Sequence, residues 1–328
     1  MTSHSDVAIF TSLRYDPQCA QVEPENGPFY MLHLHRDRLV ESARYFGFES
    51  AIDRFEGKDG LDWLKESLEG KVKEWKRQSE SGGGDNGPLK IRAIFTSTGY
   101  MTAEISSVPS VSKEALYPST LLPPPPASEL PSIKPFKPSA ATGGALHTTS
   151  SSNPSQPTWH ITLDTQPTTS GPYNTFKTLN RKAYEEARER VLPTARKEYQ
   201  QYANHEVLMY DENGSASETS LCSVYFWRGG KWVTPPVTHL PYDVKKSGNG
   251  HHGPGAGQEG DKKMFRWGQR GTTRRYALAE GLCKEEDVKT KDLKPGEVCW
   301  ISNGVRGFAM AVLGEGGGLA AGNNTGKE

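Results

Sequence analysis

The stretch that decides the fold is NTFKTLNRKAYEEARERV, residues 174–191. It follows TQPTTSGPYNTF, a loop rich in Pro, Thr and Gly. Its apolar residues recur every four positions, at Leu179, Ala183, Ala187 and Val191. This period predicts an amphipathic helix that begins near Leu179. Lys177 lies just before this helix. It is either an ordinary solvated lysine at the start of a helix, or a functional amine that the helix orients and the loop leaves accessible.

The composition narrows the class of protein. The 328 residues are enough for two domains, and 39 basic residues balance 39 acidic ones. This balance gives no general reason to expect nucleic acid or a membrane as partner, so we expect a small-molecule substrate. No apolar run reaches the length of a membrane span, and the first residues lack a signal-peptide pattern. The four cysteines form no Cys-x-x-Cys pair. We therefore predict a cytoplasmic protein with reduced thiols and no metal site.

Three segments of low complexity interrupt the chain. Residues 79–87 and 247–261 are rich in Gly, and residues 121–157 are rich in Pro and Ser. Such compositions are typical of loops and linkers. The middle segment predicts an interdomain linker or insert between a small N-terminal α/β domain, 1–120, and a larger cofactor-binding C-terminal domain, 158–328.

Hydrophobic periodicity predicts the elements of both halves. The first half gives strands in DVAIFTSLRY and FYMLHLH, a helix from about Arg36, a helix in GLDWLKESLEGKVKEWKRQ, and a hairpin of LKIRAIFTS and MTAEISSV. The second half gives the strand WHITLD, the lysine helix, three antiparallel strands in HEVLMYDENGSASETSLCSVYFWRGGKWVTPP, a helix in GTTRRYALAEG and two strands in EVCWISNGVRGFAMAVL. The mixture predicts an α/β fold of the α+β type.

Several features beside Lys177 are suited to chemistry. Thr272 and Thr273 begin a predicted helix, where free amides favour an anion. Glu218 lies in a predicted strand, an unfavourable place for a carboxylate unless it is exposed or paired. Arg38 adjoins the buried face of a helix. Each is a weak signal alone. Together they match the needs of pyridoxal phosphate (PLP), which takes a lysine as a Schiff base, amides and an arginine for its phosphate, and a carboxylate for its ring nitrogen.

Six motifs carry a resemblance to a known family. FTSLRYDP, LHLHRDRLVESARYFGF, FKTLNRKAYEEAR, EVLMYDENGSASETSLCSVYFWRGGKWVTPP, GTTRRYALAEG and ISNGVRG occur in the order typical of fold-type IV PLP enzymes. The chain resembles this class IV aminotransferase family over nearly its whole length, apart from the three low-complexity segments. Within it, the chain is most like the aminodeoxychorismate lyase branch of the fungal type. The resemblance implies a two-domain architecture similar to D-amino-acid aminotransferase, PLP between the domains, and a homodimer.

The resemblance also implies roles for individual residues. Lys177 would be the Schiff-base lysine and acid/base catalyst, and Glu218 the partner of the ring nitrogen. The phosphate would lie among Arg38, Thr272, Thr273 and Gly304. Aminotransferases of the family often place a tyrosine a few residues after the lysine; this chain has Lys182 and then Tyr184, so that role stays unassigned. The asparagine that commonly follows the glutamate by five positions is Ser223 here.

The first motif bears on the reaction. In aminotransferases of the family its phenylalanine is usually followed by glutamate, whereas the lyase branch tends to have a hydroxyl residue, and this chain has Phe10-Thr11-Ser12. We therefore expect a lyase that eliminates pyruvate from 4-amino-4-deoxychorismate to give the folate precursor p-aminobenzoate. Thr11, Arg14 and Arg92 are candidate substrate contacts. A class IV aminotransferase acting on a D- or branched-chain amino acid or an amine, and a non-catalytic PLP-binding paralogue, are the alternatives.

Overall fold

The computed structural model describes residues 7–56, 59–79, 87–126, 159–169, 171–192, 204–237 and 268–314. The helices are α1 (Leu32–Phe46), α2 (Glu49–Phe55), α3 (Gly60–Ser79), α4 (Lys113–Leu116), α5 (Pro172–Thr175), α6 (Lys182–Val191) and α7 (Thr272–Ala279). The strands are β1 (Ile9–Tyr15), β2 (Leu89–Phe95), β3 (Met101–Ser107), β4 (Trp159–Leu163), β5 (His205–Tyr210), β6 (Ala216–Thr219), β7 (Ser223–Arg228), β8 (Lys231–Thr234), β9 (Lys284–Glu285), β10 (Val298–Asn303) and β11 (Gly307–Leu313). Within these stretches, no helix combines the length and the apolar character needed to cross a membrane.

The strands form two sheets. The first is antiparallel, in the order β1-β2-β3. The second has eight strands, in the order β6-β5-β4-β11-β10-β7-β8-β9, and it mixes parallel pairs (β4 with β5 and β11, β8 with β9) with antiparallel ones. The predicted α/β fold with hairpins is confirmed, while the domain boundaries stay predictions. The Gly-rich loop 247–261 and most of the predicted linker lie outside the described residues.

The two faces of the first sheet have different environments. Ile9 and Leu13 of β1 are fully buried in a core shared with α1, α2 and α3. The opposite face carries Phe10 and Ser12, and Arg92 of β2 lies directly across from Ser12 in the register. Because residues directly opposite in a β-ladder point to the same side, Ser12 and Arg92 lie next to each other on this face.

An exposed glycine tests the placement of α3. An added Cβ at Gly70 would find no described atom within 4 Å. Because glycine inside a helix is less favourable than alanine by about 0.5–1 kcal/mol, we expect Gly70→Ala to raise the free energy of unfolding by that amount in urea titrations, with an unchanged slope. The contrasting variant is Gly47→Ala, at the C-terminal end of α1, where φ is +68° and alanine is expected to destabilise. A loss of stability in Gly70→Ala would contradict an exposed helical position.

The eight-stranded sheet carries α6, and the helix differs from its prediction. It begins at Lys182, and Leu179 precedes it with 41% of its surface exposed. Tyr184 and Ala187 form its buried face and pack with residues of β5. The four-residue repeat therefore locates the helix but misplaces its start, because Leu179 is held by a backbone hydrogen bond to Ala8 instead.

One predicted strand is wrong, and another is divided into two. FYMLHLH contains the first turn of α1, where the amides of Leu34 and His35 donate to the carbonyl of Met31; its alternation of apolar residues also fits a helical face. The predicted middle strand of the three is broken by a tight turn, in which Thr219 and Cys222 bond each other. As a result β6 pairs with β5, while β7 pairs with β10 and β8. Sequence patterns also missed α2.

The chain segment that follows β3 forms contacts with both parts of the structure. The hydroxyl of Tyr30 donates to the carbonyl of Leu116 at 2.5 Å. Farther along, Trp232 donates through Nε1 to the carbonyl of Leu121 at 3.0 Å. Leu121 is itself buried in a cluster with residues of β7, β8 and α7. The first residues of the predicted linker are thus part of the packed structure.

Candidate active site

A cleft of about 350 Å³ opens between the two sheets. The first sheet and α1 contribute one wall; the ends of β6 and β10 and the start of α7 contribute the other. Most of the predicted site residues line it, namely Arg38, Arg92, Lys177, Glu218, Thr272, Thr273 and Gly304. Residues more than 260 positions apart in the chain thus meet in one space, which is a suitable size for a small cofactor and substrate.

Lys177 is positioned by both of its neighbours and by its own backbone. Phe176 is buried in the core of the first sheet, where its ring stacks on Tyr45 with centroids 4.3 Å apart. The carbonyl of Lys177 accepts a hydrogen bond from the amide of Phe10 at 2.9 Å, and Thr178 forms an isolated bridge with Ile9. The loop that carries the lysine is therefore fastened along β1, and its side chain points into the cleft.

The surroundings of the Lys177 amine favour its neutral form. Its Nζ donates to Oε1 of Gln269 at 3.3 Å and lies 5.2 Å from the centroid of the Phe10 ring. Desolvation lowers the pKa of Lys177 well below its ordinary value, and the positive charges of Arg181 and Arg38 lower it further. A neutral amine is the form that attacks an aldehyde and accepts a proton. The site thus favours the reactive state.

Glu218 lies at the end of a hydrogen-bonded group. Its Oε1 accepts from the hydroxyl of Tyr184 at 2.7 Å and from the backbone amide of Gln269 at 3.2 Å. The side-chain amide of Gln269 also donates to the Tyr184 hydroxyl at 3.0 Å. The sequence analysis assigned no role to Tyr184 and did not identify Gln269. The only sequence feature that could have pointed to Gln269 is its position shortly before the predicted helix at Thr272.

The start of α7 and the turn after β10 form a cup for an anion. Thr272 and Thr273 are buried in the first turn of the helix, and Ser302 donates to Thr273 Oγ1 at 2.8 Å. A Cβ on Gly304 would lie 2.7 Å from Cε1 of His35 and 3.0 Å from Oγ1 of Thr272. Glycine is therefore required where the backbone passes between these side chains.

Arg38 lies beside this cup. Its Nη2 donates to Thr11 Oγ1 at 2.6 Å, and the same hydroxyl is 2.6 Å from Nδ1 of His35. Burial first, and then the charge of Arg275, lower the pKa of Arg38 to about 9, which still leaves it charged at neutral pH. Arg38 Nε and His35 Nε2 are buried without hydrogen-bond partners among the described residues. Buried donors of this kind call for an anion, so the cup fits the phosphate of PLP.

Two predicted substrate contacts lie elsewhere. Thr11 is fully buried on the core face of β1, where it holds Arg38. Arg14 is 1% exposed; it pairs with Asp16 at 2.8 Å and donates to the carbonyls of Pro109 and Val305. Neither is among the residues that line the cleft. The structure therefore does not support direct substrate contact for either, whereas Arg92 does line the cleft.

A pair of salt bridges connects the cup to α1. Glu41 of α1 accepts from Arg270 at 2.8 Å and from Arg275 at 2.5 Å. Arg275 also donates through Nε to the carbonyl of Arg270 at 3.0 Å. These contacts span the segment that holds Thr272 and Thr273, and Gln269 directly precedes it. In the described part of the chain, no three His, Cys, Asp or Glu side chains group as ligands for a metal ion.

Comparisons with known proteins bear on the family and on the fold. A sequence model of the family "Amino-transferase class IV" matches residues 8–241, and no curated protein matches the chain. Among solved structures, a "Putative amino-acid aminotransferase" from Mesorhizobium loti is 18% identical, with a TM-score of 0.52 over 94% of this chain and 100% of that one.

Two further structures share the fold. A hypothetical aminotransferase from Mycobacterium tuberculosis, in its PLP-bound form, is 16% identical with a TM-score of 0.51 over 95% of this chain and 83% of that one. The fold IV-transaminase CpuTA1 from Curtobacterium pusillum is 14% identical with a TM-score of 0.50 over 96% and 79%. The chain belongs to the class IV aminotransferase family, whose enzymes use pyridoxal phosphate as cofactor.

Proposed function

We propose that this protein is a PLP-dependent lyase that eliminates pyruvate from 4-amino-4-deoxychorismate and releases p-aminobenzoate. The supporting observation is the charge of the cleft. Its basic lining residues are Arg38, Lys90, Arg92, Lys177, Arg181, Arg188 and Arg306, and its acidic ones are Glu185 and Glu218. Arg38 is assigned to the phosphate and Lys177 is the reactive amine, so the other five basic residues remain as cations for a substrate. A substrate with two carboxylates fits this excess.

Lys90 and Arg92 are the cations best placed for a substrate. Both lie on β2, and both line the cleft on the side away from α7. The guanidinium of Arg92 lies 4.6 Å from the centroid of the Phe10 ring, and its partner Glu104 is 62% exposed. An exposed pair of this kind contributes little to stability. Arg92 can therefore exchange Glu104 for a substrate carboxylate at small cost.

The residues of the cleft supply the remaining parts of an elimination. PLP, when bound, provides an electron sink for the charge left by a departing proton. Lys177, with its lowered pKa, is the base for the proton on the amine-bearing carbon of the substrate. Glu218 provides the carboxylate that a protonated ring nitrogen requires. Lys90 and Arg92 would hold the substrate carboxylates and stabilise the leaving enolpyruvate.

A class IV aminotransferase is the second candidate. The family description itself names this activity, and Lys177, Glu218 and the cup at Thr272 serve transamination equally well. Transamination returns the proton to the cofactor carbon and needs an amino acceptor, whereas elimination needs no second substrate. A non-catalytic paralogue is disfavoured, because the lysine and the glutamate are both present in the cleft.

The test uses the PLP-loaded protein with 4-amino-4-deoxychorismate and no keto acid. The lyase proposal expects p-aminobenzoate and pyruvate in equal amounts over many turnovers. A parallel reaction supplies a panel of D-, branched-chain and amine donors with a keto acid acceptor. Transamination in this panel, together with no p-aminobenzoate in the first reaction, would overturn the lyase in favour of the aminotransferase. No turnover in either reaction by fully loaded protein would favour the non-catalytic alternative.

Arg92→Met tests the proposed contact with a substrate carboxylate. We expect KM to rise about tenfold, equivalent to roughly 1.4 kcal/mol, with a smaller change in kcat. The matched control is Arg44→Met, because Arg44 also pairs with a glutamate, Glu56, but lies outside the cleft. Steady-state kinetics of both variants give the comparison. Equal KM values in Arg92→Met and Arg44→Met would remove Arg92 from the substrate site.

A further inference from the structure

The hydrogen bonds between Lys177 and Glu218 form one continuous path. Lys177 Nζ donates to Gln269 Oε1 at 3.3 Å, and Gln269 Nε2 donates to the Tyr184 hydroxyl at 3.0 Å. Tyr184 then donates to Glu218 Oε1 at 2.7 Å. Four separate parts of the chain meet here: the loop before α6, α6 itself, β6 and the segment before α7. Tyr184 and Gln269 have no role in the function proposed above.

We propose that Tyr184 and Gln269 are positioning residues, which keep Glu218 ionised and turn its second carboxylate oxygen toward the ring nitrogen of PLP. The inference rests on the family cofactor and holds for either reaction, lyase or transaminase. It assigns a function to a tyrosine and a glutamine that the motifs do not identify.

The direction of each hydrogen bond supports the assignment. Both donors to Glu218, the Tyr184 hydroxyl and the Gln269 amide, end on Oε1. Among the described residues no hydrogen bond ends on the other oxygen, Oε2, and Glu218 lines the cleft. Tyr184 Oη also lies 3.2 Å from the carbonyl of Asn174, but its single proton goes to the closer, charged acceptor. The Glu218 carboxylate is therefore fixed through Oε1, and Oε2 is available to a ligand.

Gln269 fixes the orientation of the tyrosine. Its side-chain NH₂ donates to the Tyr184 hydroxyl, which therefore directs its own proton away from Gln269 and toward Glu218. In this orientation the amide oxygen of Gln269 accepts from the amine of Lys177, while its NH₂ donates to Tyr184. Gln269 thus transmits the position of Lys177 to Tyr184 and Glu218.

The charges around Glu218 make these donors necessary. Desolvation raises the pKa of Glu218, and the Tyr184 hydrogen bond is the strongest opposing influence, ahead of the charge of Arg181 and the Gln269 amide. Arg38 of α1 also acts on this carboxylate. Loss of the tyrosine hydroxyl would therefore favour the neutral acid, which cannot stabilise a protonated ring nitrogen.

The test follows the ring nitrogen directly. Wild-type protein and the variants Tyr184→Phe and Gln269→Met are loaded with PLP that carries ¹⁵N in the ring, and the nitrogen chemical shift is recorded against pH. We expect the pH at which the nitrogen loses its proton to fall by about one unit or more in Tyr184→Phe. Gln269→Met retains its backbone amide, so a smaller fall is expected. The control is Tyr210→Phe, because Tyr210 lies on β5 outside the main cleft.

Each outcome decides the proposal. A purely structural role would lower stability and leave the nitrogen titration of the loaded protein unchanged, so unchanged titrations in both variants would overturn it. If Tyr184→Phe fails to fold or to load, Gln269→Met alone decides, through the same shift. A shift equal to that of Tyr210→Phe would also overturn it. A failure of the lyase assay leaves this result intact, because the readout does not depend on turnover.

Discussion

Replacing Lys177 by alanine is expected to lower kcat by about 100- to 10,000-fold, the range typical of a lost general acid or base, and to abolish covalent attachment of PLP. The expectation follows from the lowered pKa of this amine and its place in the cleft. Borohydride reduction of the loaded protein followed by peptide mass spectrometry identifies the attached lysine. Turnover of the proposed substrate gives kcat for both proteins.

The matched control is Lys182→Ala. Lys182 is five residues farther along, its side chain is 80% exposed, and it pairs with Glu186 at 3.6 Å. Such a pair contributes about 0.5 kcal/mol or less, so kcat and PLP attachment should stay near wild type. Attachment at Lys182, or unimpaired turnover by Lys177→Ala, would remove Lys177 from its assigned role.

An added amine separates the two roles of this lysine. If Lys177 acts as a base, small primary amines should restore part of the turnover of Lys177→Ala, in proportion to their neutral form. The restored rate should therefore rise with pH through the pKa of each added amine. Restoration that does not depend on the basicity of the amine would indicate that Lys177 serves for attachment alone.

Some of the predicted cofactor residues could be recognised from the local sequence pattern around them. The predicted substrate residues could not. Lys177 precedes a helical period and Thr272 follows a glycine at a helix start, so each could be selected from a short window. The orientation of Arg14 depends on the contacts of the chain beyond β1: Asp16 and the carbonyl of Val305 hold it away from the cleft. Charge and strand position alone cannot distinguish it from Arg92.

The same limit explains Thr11. Alternation along β1 predicts that Thr11 and its neighbours Phe10 and Ser12 point to opposite faces, but it does not say which face meets the cleft. The structure places Ser12 there and buries Thr11 against Arg38. A hydroxyl at this position thus acts on the arginine beside the cup, and its link to the reaction, if the lyase proposal holds, is indirect.

The position of Gln269 in the site could not be predicted from any local sequence pattern. Its partners lie 92 residues away at Lys177 and 85 residues away at Tyr184. Each contact depends on how the loop before α6 and the segment before α7 meet. That meeting is set by distant packing, including the salt bridges of Glu41 to Arg270 and Arg275. The positions of functional residues in helices and strands were largely predictable, whereas the contacts between those elements were not.

Gly304→Ala is expected to weaken PLP binding about tenfold or more and to lower the free energy of unfolding by about 1–3 kcal/mol, as overpacking of a buried site does. The new Cβ would lie 2.7 Å from Cε1 and 2.8 Å from Nε2 of His35, and 3.0 Å from Oγ1 of Thr272. His35 cannot withdraw freely, because Nδ1 is held by Thr11, which also holds Arg38. Relief of the clash must therefore disturb the arginine or the start of α7.

Two comparisons make the Gly304 result specific. Gly171→Ala is the matched control, because its Cβ would meet no described atom within 4 Å and its φ of −172° suits any residue; PLP titrations and thermal unfolding should match wild type. In the double variant with His35→Ala, space for the new methyl group returns, so the two substitutions should cost less together than the sum of their separate effects. Wild-type PLP affinity in Gly304→Ala, or strict additivity in the double variant, would contradict the close passage of this turn between His35 and Thr272. Because the added atom changes packing without altering any charged group, a loss of PLP affinity would tie cofactor binding to the shape of the cup as well as to its charge.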